Sequence, residues 1–279
     1  MSLFVTSLNS GSNGNCYYVG NENEAVLIDG GISCRETEKR LKRLELSMKK
    51  VKAIFVSHEH GDHIHGVPSL QKKHNLPVYI TEKTFHNSHL PLSEKLTFPF
   101  QAYNPIRIGD LTVLPFPKLH DAVDPHSFIV SNESVKVGVF TDIGRSCEHV
   151  VKHFQQCHAI FLESNYDEEM LENGRYHISL KNRIRDGHGH LSNKEAAQLL
   201  IDHKPPFMTH LFLSHLSKNN NTAKIVHDLF TKIAGNTEVI IAPRDKETKV
   251  YQIQNIPGFS DNPLVRPKRL RLATQLSLF

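Results

Sequence analysis

The chain has 279 residues, 39% of them hydrophobic and 22% charged, with 15 Gly and 14 Pro. That is the profile of a globular chain and excludes collagenous and wholly disordered classes. The net charge is +4, but Arg266, Lys268, Arg269 and Arg271 lie in a final stretch without acids, so residues 1–265 are neutral overall. The excess therefore says nothing about a basic face on the body. No apolar run approaches the roughly 18 residues of a membrane span, so no membrane partner is expected. The start, MSLFVTSLNSGSNGN, lacks the basic flank and apolar core of a secretion signal. Cys16, Cys34, Cys147 and Cys157 form no C-x-x-C pair, which points to a reducing cytoplasm. Histidine is the abnormal count, at 19, and it clusters.

In chain order, Leu3–Leu8, Cys16–Val19 and Ala25–Ile28 read as strands separated by turn-rich stretches. Ser33-Cys34-Arg35-Glu36 reads as a capping box before a helix over Thr37–Leu46. Ala53–Val56, Val78–Ile80, Leu111–Pro115, Ser127–Val130, Val135–Phe140 and Ala159–Leu162 are further strands. Ser192-Asn193-Lys194-Glu195 is a second capping box, opening a helix to about His203. Leu211–Leu213 is a strand, a helix follows near Thr222–Ile233, and Glu238–Ile241 and Lys249–Gln252 close the set. Consecutive strands followed by mixed β/α units predict an α/β chain with two packed sheets and helices outside, four layers in all. Residues 1–254 are predicted to form one folded domain. Residues 255–279, Pro-containing and basic, are predicted to be a flexible tail.

The buried strand Ile54–Val56 runs directly into Ser57-His58-Glu59-His60-Gly61-Asp62-His63. The pattern H-x-H-x-D-H places four ligands suited to Zn, Mn or Fe, His58, His60, Asp62 and His63, within six positions. In an extended segment His58 and His60 point the same way and can grip one ion. Asp62 and His63, beyond the turn at Gly61, can grip a second. The zincin pattern H-E-x-x-H is excluded because position 62 is Asp. A TIM-barrel amidohydrolase would explain His58 and His60 but not Asp62-His63.

With these motifs the chain resembles the metallo-β-lactamase-fold hydrolases over nearly all of residues 1–254, which implies a four-layer αβ/βα sandwich. The resemblance also implies a role for each matching position. Asp29, at the end of Ala25–Ile28, matches the carboxylate that orients a ligand histidine. His120, in KLHDAVDPHSF, matches a further ligand, with His126 the weaker candidate. Asp142, in VGVFTDIG, matches the carboxylate shared by both ions, and His215, in LFLSHLS, the last ligand. The implied sets are His58, His60, His120 and Asp142 for one divalent ion, and Asp62, His63, Asp142 and His215 for the other. No cysteine stands at a ligand position, which disfavours an antibiotic hydrolase.

Within that fold, SGSNGNCYYVG at residues 10–20 looks like the N-terminal signature of the YycJ/WalJ group. GHLSNKEAAQLL at residues 189–200 and LSHLSKNNN at residues 213–221 resemble the tRNase Z arrangement, in which a histidine opening a helix assists catalysis. The resemblance implies a DNA nuclease, a 5′–3′ exonuclease, acting by hydroxide attack at a two-metal centre. Asp62, His190 and Glu163 are its catalytic candidates, with His190 as proton donor beside Glu163 and His188 as the alternative. Arg183, Arg185, Lys218 and Asn220 are candidate phosphate contacts. The rival readings are a hydrolase of a small ester, thioester or lactone at the same ions, and a non-catalytic metal-bound module. The chain ends Gln275-Leu276-Ser277-Leu278-Phe279. This resembles the peptide with which bacterial proteins dock on the DNA polymerase sliding clamp. Leu278 and Phe279 would fill an apolar pocket, beside Leu276, and Gln275 would supply hydrogen bonds. That would favour DNA over RNA.

Overall fold

The computed structural model describes residues 1–255. These build two seven-stranded sheets. The first runs, edge to edge, β14 (Tyr251–Ile253), β1 (Leu3–Asn9), β2 (Cys16–Gly20), β3 (Ala25–Ile28), β4 (Val51–Phe55), β5 (Val78–Ile80) and β6 (Thr97–Pro99). The second runs β13 (Glu238–Ile241), β12 (His210–Ser214), β11 (Ala159–Glu163), β10 (Lys136–Phe140), β9 (His126–Ser131), β8 (Leu111–Pro117) and β7 (Ile106–Ile108). Each sheet is antiparallel on one side and parallel on the other. Strands β3 to β6 pair in parallel, as do β10 to β13.

Three apolar cores follow from strand alternation. Between the sheets lie inward residues of both, among them Val5, Tyr17, Phe55, Phe128, Phe161 and Phe212. Their rings interlock across the gap: Tyr17 meets Phe161 at 5.0 Å and Phe55 meets Phe128 at 5.8 Å between centroids. The outer face of the first sheet packs under α1 (Cys34–Arg43) and α3 (Val67–His74). The outer face of the second packs under α5 (Glu148–Phe154), α8 (Asn193–His203) and α9 (Ala223–Thr231). The result is the four-layer sandwich that the order of elements predicts.

Several boundaries moved for local reasons. Helix α1 begins at Cys34, and Ser33 caps it by accepting the Glu36 N–H at 3.2 Å. The box is one-sided: the Glu36 carboxylate accepts from Arg40 Nε at 2.9 Å. The helix stops at Arg43, short of Leu46, because Glu45 turns to φ 57°. The Ser192–Glu195 box is reciprocal. The segment after Gly61 is a single helical turn, α2 (Gly61–Ile64), where a plain turn was expected. Also unforeseen were α3, α4 (Glu82–Ser88), α5, β6 and β7. So were α6 (Glu168–Asn173) and α7 (Ile178–Arg185), which are short and largely polar and so show no apolar stripe.

The connection from β13 to β14 crosses from the second sheet back to the first. Thr248 N donates to Ser7 O at 2.9 Å, and Asn13 Nδ2 donates to Arg244 O at 2.8 Å, so this connection lies against the loop after β1. The tail reading, including Gln275, Leu276, Leu278 and Phe279, falls outside the described residues apart from residue 255. Among the described residues no helix is long and apolar enough to cross a membrane.

Phe212 is fully buried against Phe161 at 4.5 Å and Tyr251 at 5.0 Å between centroids. Phe212→Ala should therefore cost about 3–5 kcal/mol of stability, read as a lowered midpoint in urea unfolding followed by circular dichroism. A midpoint unchanged from wild type would mean the two sheets do not meet there.

Candidate metal centre

The parallel half of each sheet delivers its strand ends to one rim, where α/β sheets place their ligands. Asp29 follows β3, His58 lies just beyond β4, Asp142 just beyond β10, Glu163 ends β11, and His215 follows β12. His120 comes from the loop after β8 and His63 from the turn of α2. Asp29, Asp142 and His215 take φ of 62°, 55° and 56°. Left-handed backbone is uncommon for residues other than glycine and costs strain. Here it bends the chain off each strand so that the side chain turns into the rim.

Two sets of donors converge. In the first, His60 Nδ1 lies 3.1 Å from His58 Nε2 and 3.3 Å from His120 Nε2. In the second, Asp62 Oδ2 lies 3.7 Å from His63 Nε2 and 3.6 Å from His215 Nε2. Asp142 stands between them, with Oδ2 3.1 Å from His63 Nε2 and Oδ1 3.9 Å from His120 Nε2. All seven candidate ligands from the sequence thus meet in one place. His126 does not: its amide donates to Ser57 O at 3.0 Å and its ring meets Phe100 edge-on.

Several inward nitrogens are aimed by a partner on the far side of the ring. His63 Nδ1 faces Asp29 Oδ2 at 2.7 Å, and Asp29 also accepts the Ser57 N–H and hydroxyl at 2.8 Å each. His120 Nδ1 faces the carbonyl of Gly189 at 2.8 Å. A Cβ on Gly189 would stand 2.2 Å from Arg183 O, so only glycine brings that carbonyl in. Glu163 Oε1 serves two rings, His215 Nδ1 at 2.9 Å and His190 Nδ1 at 2.8 Å, while Oε2 accepts the Ile143 N–H at 2.6 Å. His190 is a quarter exposed and its ring lies beside those of His120 and His215. His188 is exposed and has no such contact with Glu163.

The family model described as "Beta-lactamase superfamily domain" matches residues 24–215. A protein named exodeoxyribonuclease YycJ, from Bacillus anthracis, is 36% identical over 230 residues, covering 81% of this chain and 86% of its own. Exodeoxyribonuclease WalJ from Streptococcus pneumoniae is 30% identical over 225 residues, 79% of this chain and 84% of its own. The chain belongs to the metallo-β-lactamase superfamily. It is a metal-dependent hydrolase of the YycJ/WalJ-like kind. Among solved structures, the metallo-β-lactamase-fold protein YhfI of Bacillus subtilis shares the fold, with a TM-score of 0.69 at 18% identity over 90% of this chain and all of that one.

The donors fit divalent cations. Asp142 Oδ2 and His215 Nε2 are buried and make no hydrogen bond, an arrangement that costs free energy unless a cation sits between such groups. Protons partly stand in for one. Burial would depress His215, but Asp142, Asp62 and Glu163 hold it at about 10. Burial would raise Asp62 and Glu163. His63 with His215 holds the first at about 2, and His190 with His215 the second at about 2. Burial wins at His120, which falls to about 4. A further triad, Cys34, Glu38 and His74, lies between α1 and α3, where Glu38 is already engaged by Lys73 and His74 at 2.8 Å each.

The sequence reading missed Asn15, Ser57, Lys118 and Gly189. Lys118 is buried and donates to Thr141 O at 2.6 Å, fixing the residue before Asp142. Phe116, Lys118 and His120 alternate along one line, which was the available signal. Of the phosphate candidates, Arg183 pairs with Asp121 and Arg185 with Glu172, both on the surface. Lys218 is exposed. Asn220 is buried within its own turn, where its carbonyl accepts the Asp167 N–H at 2.8 Å.

His215 is raised from 6.5 to about 10, so in metal-free protein its share of stability is full below pH 6.5 and lost as pH rises through 10. Metal-free protein should unfold at lower urea at pH 9.5 than at pH 6.5, and saturating Zn²⁺ or Mn²⁺ should remove that difference. Equal pH dependence with and without metal would mean that no cation replaces the His215 proton.

Proposed function

We propose that this hydrolase is a DNA nuclease, an exonuclease working from the 5′ end, and that it uses two divalent ions. The observation that carries the substrate class is the 36% identity, over 81% of the chain, to a protein named an exodeoxyribonuclease. The nitrogen and oxygen donors with a partly exposed histidine beside them suit the same chemistry. His58, His60, His120 and Asp142 would hold one ion, Zn or Mn, and Asp62, His63, Asp142 and His215 the other. Such ions supply Lewis acidity toward a phosphoryl oxygen and lower the pKa of water.

The chain's own groups do the rest. The leaving 3′-alkoxide needs a proton, and His190 would give it. Glu163 holds His190 Nδ1, which leaves Nε2 for the transfer. Arg183 and Arg185 would exchange Asp121 and Glu172 for phosphates, and the exposed His188 and Lys218 would add further contacts. The tail peptide Gln275–Phe279 would tether the enzyme to a sliding clamp, through Leu276, Leu278 and Phe279.

The deciding assay uses DNA labelled at the 5′ or the 3′ end, with Mn²⁺, beside RNA and a thioester. Release of labelled mononucleotide from the 5′ end first is the expected result. Thioester hydrolysis without DNA cleavage would replace this reading. His190→Ala should keep its metal and lose about 10²–10⁴-fold in rate on DNA. It should lose far less on a nitrophenyl phosphodiester, whose leaving group needs no proton; equal losses would remove His190 as the donor. In a calorimetric titration with the sliding clamp, the full chain should bind and a chain ending at Thr274 should not. Equal binding by both would end the tether reading.

A further inference from the structure

Ser10–Asn15 open the stretch, residues 10–20, that looks like a group signature in the sequence, yet nothing in the proton transfer or the ligand sets uses it. In the structure it runs behind the second donor set. His215 N donates to Ser10 Oγ at 2.8 Å, and Ser10 Oγ meets the Tyr17 hydroxyl at 2.9 Å. Tyr17 donates to Asn15 Oδ1 at 3.2 Å, and Asn15 Nδ2 donates to Asp62 Oδ2 at 3.1 Å. The chain of four hydrogen bonds starts at one candidate ligand of the second ion and ends at another. Its sense is fixed at both ends. A backbone N–H can only donate, and so can the Asn15 amide nitrogen at the other end, whose orientation is set by the Gly11 N–H on Oδ1. Ser10 must therefore donate to Tyr17, and Tyr17 to Asn15.

Tyr17 is the link with least reason to be polar. It is fully buried and its ring packs on Phe161 across the sheets. Phenylalanine would fill the same space without burying a hydroxyl. Asn15 is anchored as well: its Oδ1 accepts the Gly11 N–H at 2.9 Å, its own N–H donates to Asp62 O at 2.7 Å, and its Nδ2 lies 3.0 Å from His63 Nε2. The first donor set, His58, His60 and His120, has no member in this chain of bonds.

We propose that the Tyr17 hydroxyl is a positioning group for the second ion: through Ser10 and Asn15 it sets the spacing between His215 and Asp62. The inference rests on the reading that these residues hold a cation. Aligned bonds of one sense reinforce one another. Partners that orient ligands in this way are worth about 10–100-fold in metal affinity.

The test is a calorimetric and elemental titration of full-length, metal-stripped protein with Zn²⁺ alone, with far-UV circular dichroism as a check on folding. Wild type should take up two ions and His215→Ala one; failure of either would remove the two-ion reading itself. Tyr17→Phe should keep the fold and the first ion with unchanged affinity, and should bind the second about 10-fold more weakly. Ser10→Ala should do the same. The double variant should be no weaker than either single one, since one broken link interrupts the chain. Should Tyr17→Phe not fold, Ser10→Ala alone carries the comparison of the two affinities. Equal weakening of both ions, or additive losses in the double variant, would reduce Tyr17 to packing. Two wild-type affinities in Tyr17→Phe would overturn the proposal.

Discussion

Charge buried away from water is the constraint that organises this molecule. Asp29, Asp142 and Glu163 sit at strand ends with no more than 2% of their surface exposed. An isolated carboxylate there is untenable. Every neighbouring feature answers that demand: amide N–H groups of Ser57 and Ile143, the Ser57 hydroxyl, the ammonium of Lys118 one residue away, and the inward histidines. The histidines are aimed because the carboxylates need donors, and Asp142 and Glu163 stay ionised because the histidines supply them.

The architecture makes such a concentration of charge tolerable. Two half-parallel sheets packed face to face bring the carboxyl ends of strands from both halves of the chain to one rim. Rigid strands fix the positions, and the left-handed residues at their ends fix the directions. The same rim also receives loops that no strand directs. Gly189, whose carbonyl orients His120, arrives because the loop before α8 packs closely under α7. One residue, Glu163, ties the proposed proton donor to the proposed metal ligand His215, so the two cannot be repositioned independently.

The layers and most buried strands were legible in the sequence because apolar runs and turn residues report burial directly. The donors His58, His60, Asp62 and His63 were legible because four metal-binding side chains within six positions, directly after a buried strand, seldom fall together by chance. His120, Asp142 and His215 were legible only through the family resemblance, since each is a single residue whose neighbours in space are far away in sequence. Asn15 and Lys118 were not read, as their roles depend on contacts across 47 and 23 positions. Helices α6 and α7 were missed for a different reason: they are held by the loops they cover and show no amphipathic pattern. Arg183 and Arg185, read as phosphate contacts, turn out to have acidic partners of their own.

The return of the chain from β13 to β14 bears on biosynthesis. Strand β14 closes on β1, and Thr248 and Arg244 lie against Ser7, Ser12 and Asn13. The loop that backs Asp62 and His215 is thus buttressed by almost the last described part of the polypeptide. During vectorial synthesis the first sheet emerges early, yet its terminal edge stays unpaired until residue 253 has left the ribosome. The rim that gathers the candidate ligands is consequently framed only once residue 253 has been made: a nascent fragment holds the histidine motif without that buttress.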